Sequence, residues 1–452
     1  MALSPINSFY QSTPLALVNA RIIDPLTSYD GPGALKIENG KITDISFSDS
    51  LVSPDPNAHT VIDCHGMCVA PGIVDMQVFI GEPGARHKES FNSGGKAAAA
   101  GGVTTIVTQP DTNPVIDDPA MVEFIRHRAM DVCSVRVLPL AALTKGLAGD
   151  LITEYQFLRD AGAVGFSNAY HSIDKSLVFL RCLEYAYSTD SLVVGHPQDI
   201  SISYGTCATE GALSTIMGLS AAPAISETIA LERDILLAEL TGARYHADQL
   251  STRSSLESLR RARDRGVNIT ASTAVAYFSF NETEITGYRT FSKVSPPLRK
   301  ENDRKAVTEA LKEGLIDTIV SAHYPQDEES KRQPYEKSAS GIVGLETILS
   351  ASLKLYHDGH MSLPSLFRCL SLNPSKILAQ DTGELRVGAP ADIIVFDPDK
   401  PWVVDRYELL SKSKNTPFHK KTLQGYVALT IINGHVVFDK RNSIGLICYD
   451  EL

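Results

Sequence analysis

The chain lacks any excess of positive charge. Its 42 lysines and arginines stand against 53 aspartates and glutamates, a formal net charge of -11. A surface for nucleic acid or for an anionic membrane needs clustered cations, so neither is an expected partner. Small molecules or proteins are. It also lacks an apolar run near the roughly 20 residues that cross a bilayer. Residues 1–17 carry no basic segment followed by an apolar core, so no secretory signal is expected and the cytoplasm is the expected compartment. Seven cysteines (Cys64, Cys68, Cys133, Cys182, Cys207, Cys369, Cys448) are scattered without the paired spacing of a zinc ribbon or a disulfide framework, which predicts reduced, buried thiols. No glycine-rich phosphate loop follows the first long apolar strand. The stretch from Gly94 to Gly102 lacks the Lys-Ser/Thr that finishes such a loop and reads as a tightly packed helix.

What is present is patterned for a large α/β protein. With 452 residues, 43% of them hydrophobic, the chain can bury a large core without covalent staples and predicts one big domain plus a smaller one. Short apolar strands and turns fill 15–66 and return near the C-terminus. Asn39-Gly40 and Asn433-Gly434 each sit between apolar runs, a hairpin signal, and both ends are expected to meet in one small β-domain. Between them, eight strand-like runs alternate with helical stretches, beginning at Ile73 to Val78 and ending at Thr318 to Ala322. Eight is the count of a (β/α)₈ barrel, although periodicity alone also fits an open doubly wound sheet.

Ala70 to Ile80 (APGIVDMQVFI), Glu82-Pro83-Gly84, Ala97 to Thr105, Pro110 to Pro114 (PDTNP), Ser295 to Arg299 (SPPLR), Gly341 to Thr347 (GIVGLET), Leu372 to Lys376 (LNPSK) and Ser411 to Phe418 (SKSKNTPF) occur in a shared order. In that order the chain resembles the dihydroorotase family of amidohydrolases. The resemblance implies a distorted (β/α)₈ TIM barrel with a small β-sandwich formed by both termini. The expected boundaries are 1–66 and 379–452 for the sandwich and 67–378 for the barrel.

The resemblance also implies a binuclear zinc site, and position by position its ligands are missing. The first-strand His-x-His is represented by Gln77 and Phe79, a neutral amide and a hydrocarbon. Asn168 stands where the fourth strand should carry a carboxylate. His196 on the fifth strand is the sole aligned ligand. Gln249 replaces the sixth-strand histidine, with His246 matching a neighbouring non-ligand one, and Ala322 replaces the aspartate that serves as ligand and general base. Substrate positions drift in parallel. Gly81 replaces an arginine, Asp111 an asparagine and Ser295 an asparagine, removing the donors that would hold a substrate carboxylate.

Hydrolysis of this kind needs a metal to bring the pKa of water from about 15.7 towards about 7, and a base to manage the proton. Neither device is present at the aligned positions. No cofactor is therefore expected, and zinc enters only if a site is rebuilt from His171, His196, His246, His323 and Asp248. The histidines His65, His87, His127, His357 and His360 have no spacing that singles them out. Asp75 is expected to bond backbone or a neighbouring strand, and the charged run from Asp327 to Lys337 to be a solvated loop. By resemblance, the expected role is a non-catalytic structural or regulatory subunit supporting aspartate transcarbamoylase in pyrimidine biosynthesis, in a homo- or hetero-oligomer. The alternative is an active dihydroorotase, or another cyclic-amide hydrolase, with an atypical metal site.

Overall fold

The computed structural model describes residues 14–48 and 59–441. Cys448, and residues 1–13 on which the absence of a secretory signal partly rests, lie outside them. The eight predicted runs form eight strands: Ile73–Val78, Val103–Thr108, Arg136–Pro139 continuing as Ala141–Ala142, Phe166–Ser167, Leu192–Gly195, Arg244–Ala247, Ile269–Ala274 and Thr318–Val320. Neighbours pair in parallel, and the third strand passes from the second to the fourth across Leu140. The choice between barrel and open sheet is decided where the eighth strand meets the first. There Val78 bridges His323, and the Phe79 amide donates to the His323 carbonyl at 2.8 Å. The sheet closes into a barrel.

Each strand is followed by an outer helix, from Phe91–Ala100 after the first to Ile348–His357 after the eighth. Local sequence sets several starts. The Ser90 hydroxyl caps the first helix in a capping box with Ser93, and Asp118 caps the second, where Pro119 fits the first turn. The Gly94 stretch is this first helix, as expected. A Cβ at Gly95 would lie 2.7 Å from the Cys133 sulfur, so only glycine lets the helix sit this close. Cys133 and the other five described cysteines are free and buried.

The termini build one eight-stranded sheet. Its order runs His435–Asp439, Thr422–Ile432, Ile393–Val403, Cys68–Pro71, Leu15–Asp24, Tyr29–Glu38, Lys41–Ser46, with Thr60–Asp63 also paired to Leu15–Asp24. Residues from both ends, such as Leu17, Ile37, Ile393 and Ile431, share one apolar cluster, which gives the sheet its sandwich-like form. Both Asn-Gly pairs turn hairpins with positive φ at each residue. Arg136 of the third barrel strand reaches Asp392 and Asn433, anchoring the barrel to this sheet. Among the described residues no helix is long and apolar enough to cross a membrane.

The charged run after the eighth strand is mostly exposed, as expected, with two residues turned inward. Lys331 is 2% exposed, its ammonium donating to the Thr290 carbonyl, and Tyr335 is buried beside it. Lys293 donates to the carbonyls of Tyr335, Glu336 and Ser338. The two ammonium groups collect loop carbonyls that would otherwise be buried unpaired, which draws the segment inward.

Candidate functional site

The C-terminal ends of the barrel strands form the mouth where this architecture places its chemistry. Gln77 leaves the first strand 3% exposed, and its carbonyl oxygen has no hydrogen-bond partner. Phe79, two residues on, packs its ring 4.6 Å from that of Tyr324. Asn168 turns to the loop behind it: its carbonyl accepts from the Thr144 amide at 3.2 Å, and its amide donates to the Thr144 hydroxyl at 3.0 Å.

Tyr170 fills the space between these positions. Its ring stands edge-on to His196, 4.9 Å between centroids, and to Tyr324, 5.1 Å. Its hydroxyl accepts from the Gln249 amide at 3.2 Å and lies beside the amide of Gln77. Beyond it, the cavity bounded by Asn168, His171 and His196 is about 20 Å³, room for a water and little more.

Both ring nitrogens of buried His196 are unpartnered, and burial brings its pKa down to about 4. His246 shares a hydrogen bond of 2.8 Å with Thr270, and burial takes its pKa down to about 3. Both imidazoles are neutral near neutral pH. Asp248 accepts from the Ser272 hydroxyl at 2.6 Å and from the Gln249 amide at 3.2 Å; burial nevertheless raises its pKa to about 6. His246 and Asp248 thus each engage a hydroxyl of the seventh strand. His323 is committed elsewhere: its Nε2 lies 3.5 Å from buried Glu89, and its Nδ1 accepts from the Gly344 amide. Burial pushes the Glu89 carboxyl up, but His323 and the Ser411 hydroxyl outweigh it and hold the pKa below the ordinary value. His171 is exposed.

Asp75 accepts from the amides of Gln77 and Ser321, both at 3.2 Å, tying the first strand to the eighth as expected. Its other oxygen is unpartnered, and burial raises its pKa to about 7. Asp111 accepts from the Tyr324 hydroxyl at 2.9 Å. Gly81 sits in a turn where a Cβ would lie 2.3 Å from the Ala85 carbonyl, so an arginine there would force the loop to move. Ser295, half-buried, precedes a cis Pro296. Gln249 and Ala322 both hold left-handed backbone, φ 58° and 50°, a conformation that non-glycine residues seldom adopt and that clusters at functional sites.

Zinc sites are built from thiolate, imidazole and carboxylate donors. The aligned positions here offer one imidazole, two amides on the strands that should carry histidines, a third amide, a phenyl ring and a methyl group. Among the described residues no three His, Cys, Asp or Glu side chains gather as a metal-binding group. The residues at the aligned positions do not fit a zinc ion, and of the rebuilt set His246, Asp248 and His323 are engaged by Thr270, Ser272 and Glu89 with Gly344, while His171 is exposed and His196 stands unpartnered.

One built polar cluster escaped the sequence reading. Glu227, 0% exposed, accepts from the amides of Ser251 and Thr252 and from both hydroxyls, and pairs with buried Arg299 at 3.3 Å. Arg299 also donates to the hydroxyls of Ser251 and Thr209. One of its members, Arg299, ends a motif already singled out. Tyr170 had no spacing or motif to mark it.

A (β/α)₈ barrel with a two-termini sheet and strand-end positions for metal ligands defines the amidohydrolase class. L-hydantoinase from Arthrobacter aurescens superposes with a TM-score of 0.85 at 24% identity, over 94% of this chain and 96% of that one, a likeness of fold. Residues 66–255 match the Dihydro-orotase-like family and residues 212–437 the Amidohydrolase family. A dihydroorotase of Syntrophus aciditrophicus (strain SB) is 40% identical over 94% of this chain and 99% of its own length. One of Geobacter metallireducens is 39% identical over 94% and 100%. The chain belongs to the dihydroorotase family.

Proposed function

We propose that this protein is a non-catalytic member of the dihydroorotase family, a structural or regulatory subunit that supports aspartate transcarbamoylase in pyrimidine biosynthesis. One observation carries the loss of chemistry: five of six metal-linked positions hold side chains that do not suit zinc, and Tyr170 occupies the space between them. Around that centre Glu227 and Glu89 are well supplied with partners, which fits a protein that works through its shape. The transcarbamoylase partner rests on the family resemblance. The proposed units remain a barrel of 67–378 and a terminal sheet domain of 1–66 and 379–452.

A second reading has its own support. The relatives at 39–40% identity over nearly their full lengths carry the name dihydroorotase, so an active cyclic-amide hydrolase with an atypical metal site is the competing function. Zinc content and dihydroorotase turnover measured on one purified sample separate the two. Substoichiometric zinc with no turnover, together with co-purification of aspartate transcarbamoylase, supports the subunit. Stoichiometric metal with chelator-sensitive turnover overturns it.

A further inference from the structure

A cavity of about 350 Å³ lies where the outer helices of the barrel meet the terminal sheet, and its wall is cationic in a chain whose formal net charge is -11. Arg304 enters it from the helix Glu301–Lys312, Lys354 from Ile348–His357, and Lys421 from the residue before the strand Thr422–Ile432. Among the described residues Glu284 is the carboxylate that lines it. That carboxylate is shared between Lys421, at 2.9 Å, and Arg289.

The cations keep capacity for a ligand. Arg304 donates through Nε and Nη2 to Glu301 and through Nη1 to the Phe278 carbonyl. That uses three of a guanidinium's five N–H bonds. Lys354 pairs with Asp358 at 2.8 Å across an exposed helical turn, an arrangement that solvent screens and that holds the ammonium weakly. The hydroxyl of Ser279, in the same wall, has no hydrogen-bond partner.

We propose that this cavity binds a small organic phosphate. Three cations against one carboxylate leave the wall at about +2, which a phosphate monoester dianion balances. Its three terminal oxygens can meet donors that arrive from three separate elements, whereas a carboxylate brings two oxygens and one charge. The fork of Arg304 suits such an anion in particular. The rest of the wall fits an organic body: the rings of Phe280 and Phe418 lie 4.8 Å apart beside half-buried Leu423. None of the aligned metal positions at the barrel mouth lines this cavity, so the site is separate from the mouth. Barrel helices and terminal sheet both contribute to it, and occupation would tie the two together.

The test is calorimetric titration of the purified full-length chain with phenyl phosphate, inorganic phosphate and benzyl alcohol at slightly alkaline pH. Phenyl phosphate is expected to saturate one site, about tenfold more tightly than inorganic phosphate, and benzyl alcohol to give no binding heat. Lys354→Gln and Lys421→Gln are each expected to weaken phenyl phosphate about tenfold, the size of one charge-assisted hydrogen bond. Lys312→Gln removes the same charge from the helix of Arg304 but outside the cavity, and should leave the affinity within about twofold. Lys354 and Lys312 are both exposed, so circular dichroism should be unchanged and a loss of binding is not a loss of fold. No saturation by phenyl phosphate, an affinity no better than that of inorganic phosphate, no loss on either cavity substitution, or an equal loss on Lys312→Gln overturns the inference.

Discussion

Glu227 with Arg299 and His196 with His246 are polar groups buried in the same barrel, and they are finished to different standards. Glu227 and Arg299 sit in a web of hydroxyls and amides in which each charge has an opposite charge and several hydrogen bonds. His196 has no partner on either nitrogen, His246 lacks one on Nε2, and Gln77 lacks one on its carbonyl. Buried polar groups left unpaired cost about 1–3 kcal/mol each. The comparison sets one cluster whose charges are fully paired against imidazole and amide groups at the mouth that are not.

The sharpest way to break that contrast is to remove one partner from the fully paired cluster. Glu227→Ala strands Arg299 as an uncompensated buried charge and is expected to cost about 3–5 kcal/mol in urea unfolding. The double change Glu227→Leu with Arg299→Met should recover much of it. If Glu227→Ala costs under about 1 kcal/mol, the two clusters are equally dispensable and the contrast fails.

Emptying the space at the barrel mouth is the second test. Tyr170→Ala removes a ring that touches His196 and Tyr324 and is expected to cost about 2–4 kcal/mol. Tyr170→Phe keeps the packing and removes only the acceptor for Gln249, for about 1 kcal/mol. Zinc content should stay substoichiometric in both, because Gln77 and Gln249 remain amides. Zinc uptake by Tyr170→Ala alone would mean that the ring was shielding a competent donor set.

The fold was legible because its signals are local and repeated. Eight apolar runs and two Asn-Gly turns each act within a few residues of their own position. Barrel closure was not legible from periodicity, since the bond from Phe79 to the His323 carbonyl joins residues far apart in sequence. The residue types at the aligned positions were readable because a substitution changes a donor wherever the side chain ends up. What lies between them was not: Tyr170 fills the mouth through ring contacts to the fifth and eighth strands, and no spacing announces a packing partner. Lys331, buried in an otherwise mostly exposed run, was hidden for a related reason. A charged run reads as solvated until the loop carbonyls that its ammonium collects are known.

The finest test uses pH, because the two kinds of buried group pull in opposite directions. His196 and His246 have folded pKa values of about 4 and 3, below the ordinary 6.5. Between those values the unfolded chain binds more protons, so their contribution is complete above about pH 6.5 and is lost as the pH falls. Asp75 and Asp248 are raised to about 7 and 6 from 3.8. Here the folded chain binds more protons, and their contribution is complete below about pH 4 and is lost as the pH rises. From about pH 4 to 6 these four groups together nearly cancel, leaving a contribution smaller than the roughly 1.4 kcal/mol per pH unit of one uncompensated proton. Asp75→Asn removes one opposing carboxyl while its oxygen can still accept from Gln77 and Ser321, so stability relative to wild type should rise with pH across that window. His246→Asn should tilt the relative slope the other way. Parallel urea midpoints for all three proteins from pH 4 to 6.5 would mean that neither group keeps its shifted proton equilibrium, and that the centre is wetter than its burial implies.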